Sequence, residues 1–267
     1  MDHIWPSCQS QNLVRAEKNL MVFRDIAVKI MSWIDPLEDN KSRVELLASL
    51  GGDLEIVNDA RASFEKTSSE LSDKDVKLIH YLVKHQHTSP FRGTVFKFKI
   101  KAPLFVCRQW WKHVIASNHN DEQLGWNEKS FRYVEIDDSN EFYIPKIFRQ
   151  QSKSNKQATE GQLPNDANIK ALEIYSQQCE DSYKAYRMLL ELGVGREQAR
   201  GVLVPSVYTS WVWTASLQSV LHFIELRRGG GAQNEIGAYA QAITTLIKPI
   251  VPVAIGAWET YYVTTQL

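Results

Sequence analysis

The sequence predicts an α+β domain, an antiparallel-type sheet carrying several long helices. Val95 to Lys101 sets lysines at 97, 99 and 101 against apolar neighbours, the period of a strand with one wet face. Three segments of the C-terminal half keep apolar residues at helical spacing over many turns. No stretch alternates strand and helix as a parallel sheet requires.

Residues 1–24 show no clean periodicity and read as an extension preceding a single domain over 25–267. Asp25 to Ile34 is β-branched enough for a strand, closed by the turn pair Asp35-Pro36. Asp53 is placed to cap a helix running through Ile56 and Val57 towards Phe64. A second helix follows Ser72, with Asp73 and Asp75 in its first turn and Val76, Ile79, Leu82 and Val83 on one face. After the Val95–Lys101 strand and Pro103 the period lengthens, and Leu104, Cys107, Trp111 and Val114 recur as one side of a helix. Residues 118–127 read as a polar loop, and Gln150 to Asn168 as a Gln/Asn/Ser-rich connector. Helices are then expected over Ile169–Leu192, Ser206–Arg228 and Ala232–Ile250, the last two separated by Gly229-Gly230-Gly231.

Thirty-one basic residues balance thirty-one acidic ones, so an overall field that binds duplex nucleic acid is excluded. Hydrophobic content of 43% suffices for a sizeable core. Cys8, Cys107 and Cys179 cannot all pair and lack metal-ligand spacing, which points to a reducing, cytoplasmic setting. No apolar run approaches a membrane span, and Met1 to Ser10 is too polar for a signal peptide.

Three clusters carry chemistry. In Arg108-Gln109-Trp110-Trp111-Lys112-His113, helical spacing puts two cations, an amide and an imidazole on one side. In Asn127-Glu128-Lys129-Ser130-Phe131-Arg132-Tyr133, an extended chain would point a hydroxyl and a guanidinium the same way, a pair suited to phosphate. Near the C-terminus, Arg196 and Arg200 are one helical turn apart. Ser216 and Arg227 fall on one line of the helix expected after Pro205, and Gln218, His222 and Glu225 form a second, polar line. Taken singly, each pattern is also what a solvated helical face or a helix C-terminal charge produces.

Together and in this order, the motifs resemble those of the flavin-dependent thymidylate synthase family. Ala60-Arg61-Ala62-Ser63-Phe64, the segment Lys84 to Phe91 with His87 and Ser89, and Phe142-Tyr143-Ile144-Pro145 extend the similarity over residues 25–260 or so. The resemblance implies reductive methylation of dUMP to dTMP, with methylenetetrahydrofolate as carbon donor and NADPH as reductant through bound FAD. It also implies a homotetramer with active sites between subunits, and neither nucleic acid nor membrane as partner. Substrate contacts would fall on Gln109, Lys112, Glu128, Ser130, Arg132, Arg200 and Arg227, with Arg227 the catalytic residue that polarises the pyrimidine. Flavin contacts would fall on Ser63, His87, Ser89, Lys112, His113, Glu128, Ser216, Gln218 and His222. Hydride supplied by reduced flavin removes the need for a nucleophilic cysteine, and Cys107 reads as core.

The chain departs from the motif in places. Lys112 and Val114 stand where it has arginines, Ser216 where it has asparagine and Gln218 where it has arginine. Asn118 to Trp126 reads as an inserted loop. The changes cluster on the flavin side, so rearranged FAD binding is expected, with Trp126 or His119 closing over the cofactor. Three alternatives compete: a flavin enzyme methylating or hydroxymethylating another pyrimidine nucleotide such as dCMP, a nucleotide-binding homologue that has lost catalysis, and single-strand nucleic-acid binding through Trp110 and Trp111.

Overall fold

A computed structural model describes residues 33–113, 125–137, 141–228 and 231–263. The extension 1–24, most of the Asp25–Ile34 segment, Val114 and His119 lie outside the described residues. At the centre stands a five-stranded antiparallel sheet in the order β1-β2-β3-β7-β4. Its strands are β1 (Trp33–Ile34), β2 (Arg43–Leu50), β3 (Val95–Pro103), β4 (Trp126–Glu128) and β7 (Tyr208–Ser216). β5 (Arg149–Gln151) and β6 (Thr159–Gln162) form a separate two-stranded ribbon.

The alternation in β3 is borne out. Phe96, Phe98 and Ile100 are fully buried, while Lys97 and Lys99 are exposed. Across the ladder Phe98 faces Trp213 and Ile100 faces Trp211, so β3 and β7 turn one apolar face to the helices. That pairing corrects the helix expected over Ser206–Arg228. Tyr208–Ser216 is instead the strand between β3 and β4, and only Leu217–Arg228 is helical. Trp211, Trp213 and Ala215 alternate with half-buried and exposed neighbours. The connector read over Gln150–Asn168 is likewise ordered, as the β5–β6 ribbon followed by the start of a helix.

The helices are α1 (Asp53–Arg61), α2 (Asp73–Lys84), α3 (Leu104–Trp110), α4 (Asn165–Glu191), α5 (Arg196–Ala199), α6 (Leu217–Arg228), α7 (Asn234–Ile247) and α8 (Pro252–Trp258). Ser72 and Asp75 form a reciprocal capping box at the start of α2. α3 ends sooner than its pattern suggested, and Trp110 rather than Trp111 enters the core. The Trp110 ring stacks on Phe223 at 4.2 Å and meets Trp211 and Trp213 edge-on, each at 5.3 Å. Among the described residues the indole N–H groups of Trp110 and Trp211 have no partner, so the cluster is held by packing. A second core gathers Phe131, Ile136, Phe142 and Val207 against Cys179 and Tyr186 of α4.

Asp53 does not cap its own helix. Its carboxylate accepts from the backbone N–H groups of Val253 (2.8 Å) and Ala254 (3.0 Å), in the first turn of α8, about two hundred residues downstream. Burial pushes its pKa up, and the two backbone bonds oppose that shift. Asp53→Ala is expected to cost about 1–2 kcal/mol in denaturant unfolding. Asp53→Asn, which keeps one acceptor, is expected to lose about half as much.

Candidate active site

Candidate residues gather at the two ends of α3. The first group surrounds a cavity of about 490 Å³ lined by Leu104, Glu128, Ser130, Glu197 and Arg200 among others. The Lys129 N–H donates to Ser210 O (2.7 Å), tying the end of β4 to β7. The chain then turns: the N–H groups of Tyr133 and Val134 both donate to Ser130 O, at 3.0 and 3.1 Å. Ser130 and Arg132 therefore sit on a turn, not on the extended segment expected, and the Ser130 hydroxyl accepts from the Arg132 N–H (3.3 Å). Arg132 and Arg200 still converge, on Glu197. Arg132 Nη2 lies 3.9 Å from its carboxylate, and Arg200 Nε donates to its carbonyl at 3.4 Å. Both side chains of the Arg132–Glu197 pair are more than half exposed, so the pair holds the guanidinium only weakly.

Glu128 is engaged from within. Its carboxylate accepts from the Thr209 hydroxyl (3.0 Å) and the Trp126 indole N–H (3.2 Å). It also accepts from the Cys107 thiol, whose pKa is driven far up by burial and by that carboxylate. The core reading of Cys107 stands, at 1% exposure. Trp126, expected to close over a cofactor, is half-buried and has one ring face stacked on Trp211 (4.7 Å, 19° between planes). Gly125 lies so close to β7 that a Cβ would come within 1.9 Å of Thr214 O, so only glycine lets the inserted segment rejoin the sheet there. The rest of that loop, Asn118 to Leu124, lies outside the described residues.

The second group lies where α3 ends, roughly 10 Å along the helix from Leu104. Gln109 donates to the side-chain carbonyl of Gln233. Arg227 Nε donates to His113 Nε2 (2.8 Å), which makes Nε2 the acceptor and leaves the ring proton on Nδ1. His113 is buried, and burial, Arg227 and His222 together lower its pKa to about 4, so it is neutral at pH 7. Burial also lowers the pKa of Arg227, which nonetheless keeps its charge. Among the described residues no carboxylate pairs with Arg227. A half-buried cation without a counter-ion is a place for a ligand's negative charge.

Beside it, a cavity of about 490 Å³ is lined by Thr88, Phe91, Gln218, His222, Glu225 and Trp258, among others. Gln218 and His222 share it as expected. The Ser216 hydroxyl instead accepts from the Ser219 N–H (3.3 Å), capping α6. His87 packs in an exposed aromatic group with Tyr81 and His85, at 5.7 and 6.4 Å between ring centroids. Ser63, Ser89 and Lys112 are exposed, and among the described residues no hydrogen bond joins them to the other candidates. Of the two tryptophans weighed for base stacking, Trp110 is buried in the core and not placed to stack, while Trp111 is half-buried and meets Trp126 edge-on at 5.1 Å. The sequence reading missed Thr88, Arg92, Glu197 and Gln233. Thr88 lies inside the Lys84–Phe91 segment and Arg92 directly follows it, so their neighbourhood was the available signal.

A family model described as "Thymidylate synthase complementing protein" matches residues 45–253. A flavin-dependent thymidylate synthase of Thermus thermophilus is 43% identical over 220 residues, covering 82% of this chain and 76% of that protein. One from Thermosipho melanesiensis is 41% identical over 213 residues, with 80% and 88% covered. Among solved structures, a UMP/dUMP methylase from Streptomyces cacaoi bound with 5-Br dUMP superposes with a TM-score of 0.71. It shares 29% identity, with 82% of this chain and 95% of that chain covered.

The Arg227–His113 bond gives a pH dependence of defined sign. Between the ordinary value of 6.5 and about 4, the folded protein binds fewer protons at His113 than the unfolded chain. Stability should therefore fall as pH drops through that window, by at most about 1.4 kcal/mol per pH unit from this group. In denaturant unfolding at stepped pH, His113→Gln, which accepts without titrating, should flatten the profile between pH 4 and 6.5.

Proposed function

The chain belongs to the flavin-dependent thymidylate synthase family, and from that premise we propose how its two groups of residues divide the work. The enzyme methylates dUMP to dTMP, with methylenetetrahydrofolate as the carbon donor and NADPH as the reductant. FAD, when bound, supplies the hydride that completes the methyl group. In this reading Ser130, Arg132 and Arg200 hold the phosphate of dUMP, and Gln109 and Arg227 hold its pyrimidine. A nucleotide carries these two groups at its opposite ends, as the two groups of residues sit at opposite ends of α3. Lys112, exposed on the turn after α3, adds positive charge. Glu128, already bonded to Thr209 and Trp126, supports the floor between them.

The observation that carries the reading is the Arg227 guanidinium, charged, half-buried and bonded to a neutral imidazole instead of a carboxylate. Methylation at C5 requires the uracil ring to take up negative charge, spread over N3 and its flanking carbonyl oxygens. A guanidinium fixed at that edge stabilises this charge without rearranging. His113 fixes the fork by accepting from Nε and, being neutral, does not repel it. Had the partner been a carboxylate, the cation would already be neutralised and its effect on the ring correspondingly smaller.

The cavity by Thr88 and Gln218 has features that suit a flavin. Phe91, Leu221 and Trp258 provide apolar surface, Thr88, Gln218 and His222 polar edges, and the buried Trp258 indole N–H has no partner among the described residues. Ser63, His87 and Ser89 are exposed in the single chain, as residues reaching a cofactor from a neighbouring subunit would be. Ile169, Ile174, Met188 and Leu192 are also exposed, on and just beyond α4. Both features support a homotetramer whose active sites are shared between subunits, with light scattering as the test of its mass.

The absorption spectrum of the purified protein should show flavin bands that bleach with NADPH. Arg227→Lys keeps the charge but loses the planar fork, and should lower kcat/KM for dUMP at least about a hundredfold while flavin remains bound. Arg200→Ala should instead raise KM for dUMP with a much smaller change in kcat. A protein without flavin bands, or an Arg227→Lys variant with unchanged turnover, contradicts the reading.

A further inference from the structure

One cation beside the flavin-side cavity is outside the motif and takes part in none of the roles above. Arg92 closes the short turn Ser89–Arg92, whose Pro90 and Phe91 are buried, so its backbone is anchored while its side chain is exposed. Arg92 Nε donates to Gln218 Oε1 at 2.7 Å, and Gln218 Nε2 donates to the Thr88 hydroxyl at 3.0 Å. Both ends of the Gln218 amide are thereby engaged with protein. The terminal nitrogens of Arg92 bond to no described residue, and among the described residues no carboxylate forms an ion pair with it. Thr88 and Gln218 line the cavity wall, so the guanidinium they orient stands at its edge. A planar cation held through Nε, with its outer N–H groups free, is the arrangement that receives two oxygens of an anionic phosphate group.

We propose that Arg92 is a cofactor-binding residue that receives the pyrophosphate of the flavin dinucleotide, and that Gln218 is the positioning residue that aims it. The proposal rests on the flavin reading above and adds to it a residue and a division of roles. Position 218, where the motif has arginine, then acts through a neighbour: glutamine brings no charge, but its carbonyl fixes a charge supplied by the adjoining turn. The departure at Gln218 thus relocates the cation instead of deleting it.

The test is FAD binding to flavin-stripped, full-length protein, followed by fluorescence, with riboflavin as a probe that lacks phosphate. Arg92→Met should raise the FAD Kd roughly ten- to hundredfold while leaving riboflavin and dUMP binding unchanged. Arg92→Met with Gln218→Arg should regain much of that loss, because the charge returns from the other side of the same hydrogen bond. Gln218→Leu, which keeps Arg92 but frees it to move, should give a smaller loss confined to FAD. An FAD Kd within about twofold of the parent in Arg92→Met overturns the proposal and leaves the flavin reading standing. So does an equal loss for FAD and riboflavin, the mark of a merely structural role. A parent protein that binds no FAD overturns both. Should Arg92→Met fail to fold, Gln218→Leu and Arg92→Lys decide the matter on the same readouts, the lysine keeping charge without the fork.

Discussion

The site depends on keeping a positive charge at Arg227 without a negative protein group to neutralise it. A guanidinium taken partly out of water is costly unless its donors are used, and a carboxylate is the usual partner. Here a neutral histidine takes one donor, and burial together with the neighbouring cation keeps that histidine neutral. Each group therefore sustains the other: Arg227 disfavours the charged imidazole, and the uncharged imidazole leaves Arg227 its full field. A carboxylate at His113 would instead pair with the guanidinium and neutralise it.

That pair needs a rigid support, and the sheet provides it through α3 and α6. Both helices are fastened by the same aromatic cluster, where Trp110 of α3 stacks on Phe223 of α6, Trp110 meets Trp211 and Trp213 of β7, and Phe223 meets Trp213. Arg227 follows Phe223 by one turn, and His113 follows Trp110 by three residues. An error of one residue in the β3–β7 register would turn Trp211 and Trp213 to the other face and take the support away. The α6 helix begins directly after Ser216, the last residue of β7, so strand register also fixes where Gln218 and His222 emerge.

How much of this could be read in advance depended on how local each signal was. The Phe96–Lys97–Phe98–Lys99 alternation and the helix start after Ser72, with Asp73 and Asp75 in its first turn, involve neighbours only, and both emerged as expected. Ser206–Arg228 misled because Trp213 lies four residues before Leu217 and so joins a helical stripe by coincidence, although Trp211, Trp213 and Ala215 also repeat every second residue. Length favoured one helix, and the pairing with β3, which decides for a strand, is invisible in the segment itself. Asp53 misled for a related reason: a carboxylate beside a helix start looks like that helix's cap, but the helix end it serves is at Val253. Among the candidate site residues, motif resemblance pointed to Arg227, Gln218 and Ser130, though not to the turn on which Ser130 sits. It could not supply the hydrogen bonds to His113 and Arg92, which join segments more than a hundred residues apart.

Chemistry at C5 of uracil can be started in two ways, by adding a thiolate to the ring or by stabilising negative charge on it. The described cysteines are poor candidates for the first. Cys107 is buried against the Glu128 carboxylate, and both the burial and the adjacent charge oppose loss of its proton. Cys179 is buried in the second core beside the Ser206 hydroxyl, and burial again raises its pKa. The one described thiol near the candidate residues thus faces the carboxylate that most disfavours a thiolate, whereas the one half-buried guanidinium bonded to an imidazole has no carboxylate partner among the described residues. In the reading proposed above the two halves of the site are electrostatically consistent: the acidic group holds a thiol inert, and the cation without a carboxylate partner is the one assigned to the pyrimidine.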